Sequence, residues 1–176
     1  MIYLYHSTPK ELAGKTLYPL NILKNKFPEV YAKEAAKYAG RERLMDLRIP
    51  YLNCKWGDVI FLSPVPPEDI KSALVKTGKK PGFKLSYYKI NPSRVNPKDT
   101  VIYLYSETNQ ASQLNLEDFI PYSPDELKGL TILPQATKDY YKAAIGKGVK
   151  PLLYHGIPHI LYKGALDISG LQVYSV

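Results

Sequence analysis

Fifteen prolines and eleven glycines scattered through 176 residues limit how far any one helix or strand can run. Proline has no amide hydrogen to give and clashes with the preceding helical turn, and it pushes the residue before it toward extended backbone. Glycine lowers the cost of leaving regular structure. Breakers at Pro9, Gly14, Pro19, Pro28, Pro50, Gly57, Pro64, Pro66, Gly78, Pro92, Pro97, Pro124, Pro134, Gly146, Pro158, Gly164 and Gly170 leave room for many short elements and few long ones.

Between those breakers the hydrophobic pattern predicts strands at Ile2 to Tyr5, Asp58 to Ser63, Lys84 to Ile90 and Thr100 to Tyr105, each compact, apolar and bounded by turn residues. Pro28 suits the first turn of a helix, and the helix formers after it predict about 18 residues ending near Asp46. Tyr31, Ala35, Tyr38 and Met45 form its apolar stripe, with Lys33, Lys37 and Arg41 on another face. Shorter helices are predicted from Pro66 to Thr77, from Ser123 onward, and from Pro134 to Ile145. The tail, with strand-like Ile160 to Tyr162 and Leu171 to Val176 around two glycines, reads as a closing hairpin. Strands and helices in mixed order imply an α+β fold, a mixed or antiparallel sheet with several short helices, rather than a regular βαβ repeat. The length suits one globular domain over residues 1–176.

Charge is segregated along the chain. Residues 71–98 hold eight cations (Lys71, Lys76, Lys79, Lys80, Lys84, Lys89, Arg94, Lys98) and no acid, whereas residues 99–139 hold seven acids against Lys128 and Lys138. A block of this kind attracts polyanions, with Lys76, Lys79, Lys80, Lys84 and Lys89 as the candidate contacts to nucleic acid or an acidic protein. A solvated lysine-rich surface balanced in space by the acidic segment accounts for the same pattern. No apolar run approaches the 20 or so residues that span a bilayer, and the first six residues lack the basic start of a signal peptide, so no membrane partner is expected. The single cysteine, Cys54, fits a reducing compartment, and a cytoplasmic location follows as an expectation.

Familiar site motifs are absent. Gly14-Lys15-Thr16 would need a glycine where Pro9 stands to form a phosphate loop. His155 and His159 are four apart, yet Gly156 and Pro158 between them oppose a helix that would place them on one face. No metal is expected. Sixteen tyrosines against four phenylalanines give many rings with a polar tip; Tyr87 and Tyr88 lie inside the basic block and Trp56 just before it.

Several stretches resemble a family of small uncharacterised bacterial and phage-type proteins: Tyr5-His6-Ser7-Thr8, Leu17-Tyr18-Pro19-Leu20, Gly40-Arg41-Glu42, the run from Ile49 to Val59, and Leu153 to Gly164. That resemblance covers most of the chain and implies no activity. A more remote one rests on a first strand ending in His6-Ser7-Thr8, a following loop and helix, and a strand ending Leu62-Ser63-Pro64. This order is similar to ADP-ribosyltransferase-like folds and related NAD-dependent RNA phosphotransferases. The resemblance implies NAD as cofactor, His6 on its ribose, an aromatic against nicotinamide and an acid stabilising the transition state. His6 and Glu107 are then the catalytic candidates, and Thr8, Tyr38 (or Tyr31), Arg41 and Trp56 the ligand-binding ones. Against the ligand role, Trp56 could plug the core beside Tyr51, and Arg41 could pair with an acid on its own helix. Two other function classes stand beside the transferase: a basic nucleic-acid-binding module, and a non-catalytic protein-interaction factor such as a toxin, antitoxin or phage-type inhibitor.

Overall fold

A computed structural model describes residues 1–10, 12, 14–105 and 114–176. In chain order its elements are β1 (Leu4–Ser7), β2 (Thr16–Leu17), α1 (Leu20–Lys26), α2 (Pro28–Ala35), β3 (Arg48–Ile49), β4 (Cys54–Lys55), β5 (Val59–Leu62) and α3 (Pro67–Lys76). Then follow β6 (Ser86–Ile90), β7 (Thr100–Tyr103), β8 (Phe119–Pro121), α4 (Gln135–Gly146), β9 (His159–Lys163), β10 (Leu166–Asp167) and β11 (Val173–Ser175). The fold is α+β, and the described residues form four short helices among small antiparallel sheets.

Two sheets organise the molecule. One has the order β1-β6-β11 and the other β5-β9-β7-β8. They are joined where Tyr5 and Ser63 exchange both backbone hydrogen bonds at 2.8 Å. Alternation along the four-stranded sheet sends Ile60, Leu62, Ile102 and Ile160 to one side, where they pack with Leu4, Tyr88 and Ile90 of the three-stranded sheet. Val59, Val101, Tyr103, Phe119 and Leu161 face the other way and meet Ile49, Leu52, Cys54 and Trp56 of the β3–β4 hairpin. A third cluster binds α3 to α4 through Ile70, Leu74, Tyr141 and Ile157. Among the described residues no helix is long and apolar enough to cross a membrane.

Four expectations are corrected. The long helix after Pro28 stops at Ala35, and the chain continues as 3-10 turns over Ala36–Tyr38 and Glu42–Asp46 separated by Gly40 at φ 78°. No residue of α2 is fully buried, so little packing holds a longer helix together against that glycine. The tail forms no hairpin: β9 pairs with β5 and β7, while β11 crosses to pair with β6. The short helix expected from Ser123 is a 3-10 turn over Glu126–Gly129. The strand expected from Lys84 starts two residues later, at Ser86.

Candidate functional site

The junction of the two sheets places side chains from distant parts of the chain around one cleft. On β1, Leu4 enters the core, and His6, two residues on, points to the same side at the sheet's end. The Thr8 amide closes the strand by donating to the Ser86 carbonyl at 2.9 Å, and Pro9 turns the chain away. The pairing of Leu62 with Ile160 sets His159 beside the end of β5, next to Ser63. α2 supplies Val30 and Glu34, and the turn after it supplies Lys37 and Tyr38.

The cleft has two adjoining halves that share His6, Pro9, Glu34, Lys37, Phe61 and Tyr154. One half, about 330 Å³, is walled mainly by apolar and aromatic side chains, among them Leu17, Tyr18, Leu23, Val59 and Tyr38. The other, about 350 Å³, is lined by Ser7, Thr8, Lys10, Ser63 and His159. Each volume falls in the range of small-molecule sites.

Three residues lining the second half each carry a polar atom that is out of balance. Nδ1 of His6, Nδ1 of His159 and Oγ1 of Thr8 are sealed from bulk solvent and find no hydrogen-bond partner of good geometry among the described residues. Buried polar groups are ordinarily satisfied, because leaving one unpaired costs about 1–3 kcal/mol. Burial pushes both imidazoles down to about 4. For His6 the Ser7 backbone and Glu34 oppose that shift in part, and Lys37 adds to it. Both rings are therefore neutral at pH 7. His159 is held edge-on between Phe61 (6.0 Å) and Tyr154 (6.2 Å). The Tyr154 hydroxyl in turn shares a 2.7 Å hydrogen bond with Ser7 Oγ.

No family model matches this chain, and neither the curated proteins nor the solved structures searched gave a match.

The predicted residues divide. His6, Thr8 and Tyr38 line the cleft. Trp56 does not: it is buried in the second core cluster, 5.0 Å from Phe61 and 5.6 Å from Tyr103, with Tyr38 packed against the same cluster. Its ring holds two wall residues in place and is not open to stacking by a ligand. Arg41 is exposed and lies outside the cleft lining; its Nη2 donates to the Lys37 carbonyl at 3.1 Å, so it pairs with backbone rather than with an acid of its own helix. Tyr31 is also absent from the lining. Glu107 lies outside the described residues.

Glu34, Lys37, Phe61, Tyr154 and His159 are the site residues that sequence reasoning missed. Glu34 and Lys37 form an ion pair at the cleft's edge, with Lys37 the more exposed partner. For these two a signal existed, since they follow Val30 at helical spacing on the face that lines the cleft. His159 carried a weaker signal, a histidine immediately before an apolar strand.

Among the proposed polyanion contacts, Lys76, Lys80 and Lys84 are exposed, while Lys79 lies 4.7 Å over the Phe83 ring and Lys89 lies 4.2 Å over Tyr3. The ion pairs among the described residues, Lys37–Glu34, Lys55–Asp46 and Lys128–Asp125, include none of the five. No group of three or more histidine, cysteine or acidic side chains is arranged for a metal ion among the described residues.

Proposed function

We propose that the cleft between β1, α2 and β5 binds an NAD-type dinucleotide and that the chain is an ADP-ribosyltransferase-like domain. The observation that carries this reading is a pair of buried atoms, His6 Nδ1 and Thr8 Oγ1, that find no partner among the described residues, at the end of the first strand beside a cleft with an aromatic half and a polar half. A dinucleotide brings a planar ring for the apolar half, hydroxyls for the unpartnered atoms and phosphates for the exposed Lys37 and Lys10. In the transfer the bond from nicotinamide to ribose breaks, positive charge grows on the ribose, and an acceptor hydroxyl bonds to the ribose carbon and releases its proton. A carboxylate near that charge lowers the barrier. Among the described residues Glu34 is the carboxylate lining both halves of the cleft.

Calorimetric titration tests the reading. NAD should bind the folded protein, and His6→Ala should weaken binding about tenfold, as expected for a lost hydrogen bond to a buried group. Nicotinamide release, followed by chromatography, should track binding. No heat with millimolar NAD and folded protein would end the proposal.

A second reading is favoured by the basic block that the described ion pairs leave unneutralised. In it, Lys76, Lys79, Lys80, Lys84 and Lys89 hold a nucleic acid, which could be the acceptor of the transfer or the partner of a binding module without catalysis.

A further inference from the structure

We infer that His159 is a second ligand-reading residue, which together with His6 and Thr8 forms a subsite for the paired hydroxyls of a pentose. This rests on the dinucleotide reading and extends it to a residue of the other sheet.

Three observations converge. His6 and Thr8 come from the β1 end of one sheet and His159 from the β9 start of the other, so their meeting depends on the Tyr5–Ser63 junction and on no local sequence motif. All three residues line the same half-cleft, and each carries a buried polar atom that finds no partner of good geometry among the described residues; for His159 the Ile157 backbone opposes the effect of burial in part. The remaining histidine behaves differently: His155 stacks on Tyr140 at 3.8 Å, its Nδ1 bonds the Tyr105 hydroxyl at 2.9 Å, and it does not line the cleft.

The chemistry of the three groups selects the ligand class. A neutral imidazole gives or takes one hydrogen bond at each nitrogen, and a threonine hydroxyl does both. Neighbouring hydroxyls of a sugar also donate and accept, and can satisfy all three without bringing a charge into a poorly solvated wall. A phosphate can only accept, and its charge would be buried against neutral groups, since the cleft's cations, Lys10 and Lys37, are exposed. A metal ion would need a third donor, and none is grouped with them among the described residues. The edge contacts to Phe61 and Tyr154 fix the ring, so little orientation is lost when a ligand arrives.

Nitrogen-15 NMR of the imidazoles provides the test, because the chain has three histidines and His155 serves as an internal reference. On titration with NAD, the Nδ1 resonances of His6 and His159 should shift while that of His155 stays. His159→Phe, shown to be folded by circular dichroism, should bind NAD about tenfold more weakly. The wild type should also lose affinity for nicotinamide riboside when the probe is replaced by its 2′,3′-dideoxy form, and the variant should no longer discriminate between the two. If NAD binds while His159 stays silent and the wild type ignores the missing hydroxyls, this inference is wrong and the dinucleotide reading survives. If the folded wild type binds no NAD at all, both fall together. The wild-type NMR and analogue measurements decide the matter even if the variant does not fold.

Discussion

At the scale of single residues, the two cleft histidines make acid stability a direct readout of the site. Burial holds each ring neutral down to about 4, against 6.5 for an ordinary imidazole. Between those values the unfolded chain binds more protons than the folded one. Stability is therefore complete above about pH 6.5, falls as pH drops toward 4, and is not changed further by these rings below that. The loss is up to about 3 kcal/mol per ring, less to the extent that water reaches it. Glu42, Asp46, Asp125 and Asp167 are held below their usual carboxylate values, so their contributions persist through this window and are lost only at lower pH. The urea midpoint should fall markedly from pH 7.5 to 4.5 in the wild type and much less in His6→Asn/His159→Asn. An equal fall in both proteins would mean the rings are protonated freely in the folded state. His6 was legible because it ends a strand and precedes a proline. His159 was much less so, because its neighbours Phe61 and Ser63 are about a hundred residues away in the chain, and only strand pairing reveals them.

At the scale of elements, the turn that delivers β9 to the cleft is tightly specified. Gly156 has φ 71°, in the left-handed region, and a Cβ built there would lie 2.9 Å from Thr137 Oγ1 on the buried face of α4. Gly156→Ala should cost about 2 kcal/mol or more, one part from the backbone conformation and one from the clash, measured by thermal unfolding. A loss under about 0.5 kcal/mol would show that the turn relaxes freely. Punctuation of this kind is what made the short elements readable: α3 and α4 lie between their predicted breakers, and β5 occupies the apolar run between Gly57 and Pro64. Reading failed where a local signal had no packing behind it. The run after Pro28 has helix-forming composition, but its side chains reach solvent or the cleft, and it breaks after Ala35. Trp56 stands beside residues that suggested a ligand platform, yet its large apolar ring is buried against Phe61 and Tyr103. Pairing of β11 with β6 could not be read from a tail that also suits a hairpin, because strand partners are set by which faces remain uncovered.

At the scale of the whole molecule, the charge pattern gives the test that separates a ligand-binding domain from one that also holds a polyanion. With a net charge of +8, the chain attracts anions in general, so weak binding at low salt alone would say little. What distinguishes a defined contact surface is the number of counterions released, which appears as the slope of log affinity against log salt concentration. Lys76, Lys80 and Lys84 are exposed and absent from the ion pairs among the described residues, so phosphates can reach them without displacing a carboxylate. Lys79 and Lys89 lie over rings, contacts worth about 0.5–1 kcal/mol at exposed sites, which hold their charge in place without neutralising it. Tyr174, 42% exposed and stacked on Tyr87 at 5.9 Å on the strand beside this block, offers a ring face for a base. A single-stranded RNA titrated by filter binding should bind at about 50 mM salt and weaken steeply as salt rises. Lys79→Glu/Lys80→Glu should reduce both affinity and slope, and by about two contacts' worth if both lysines meet phosphate. The same variant should leave NAD affinity unchanged, because neither lysine lines the cleft. No binding at 50 mM salt, or a slope that the charge reversal does not alter, would remove the nucleic-acid partner and leave the basic block as a solvated surface.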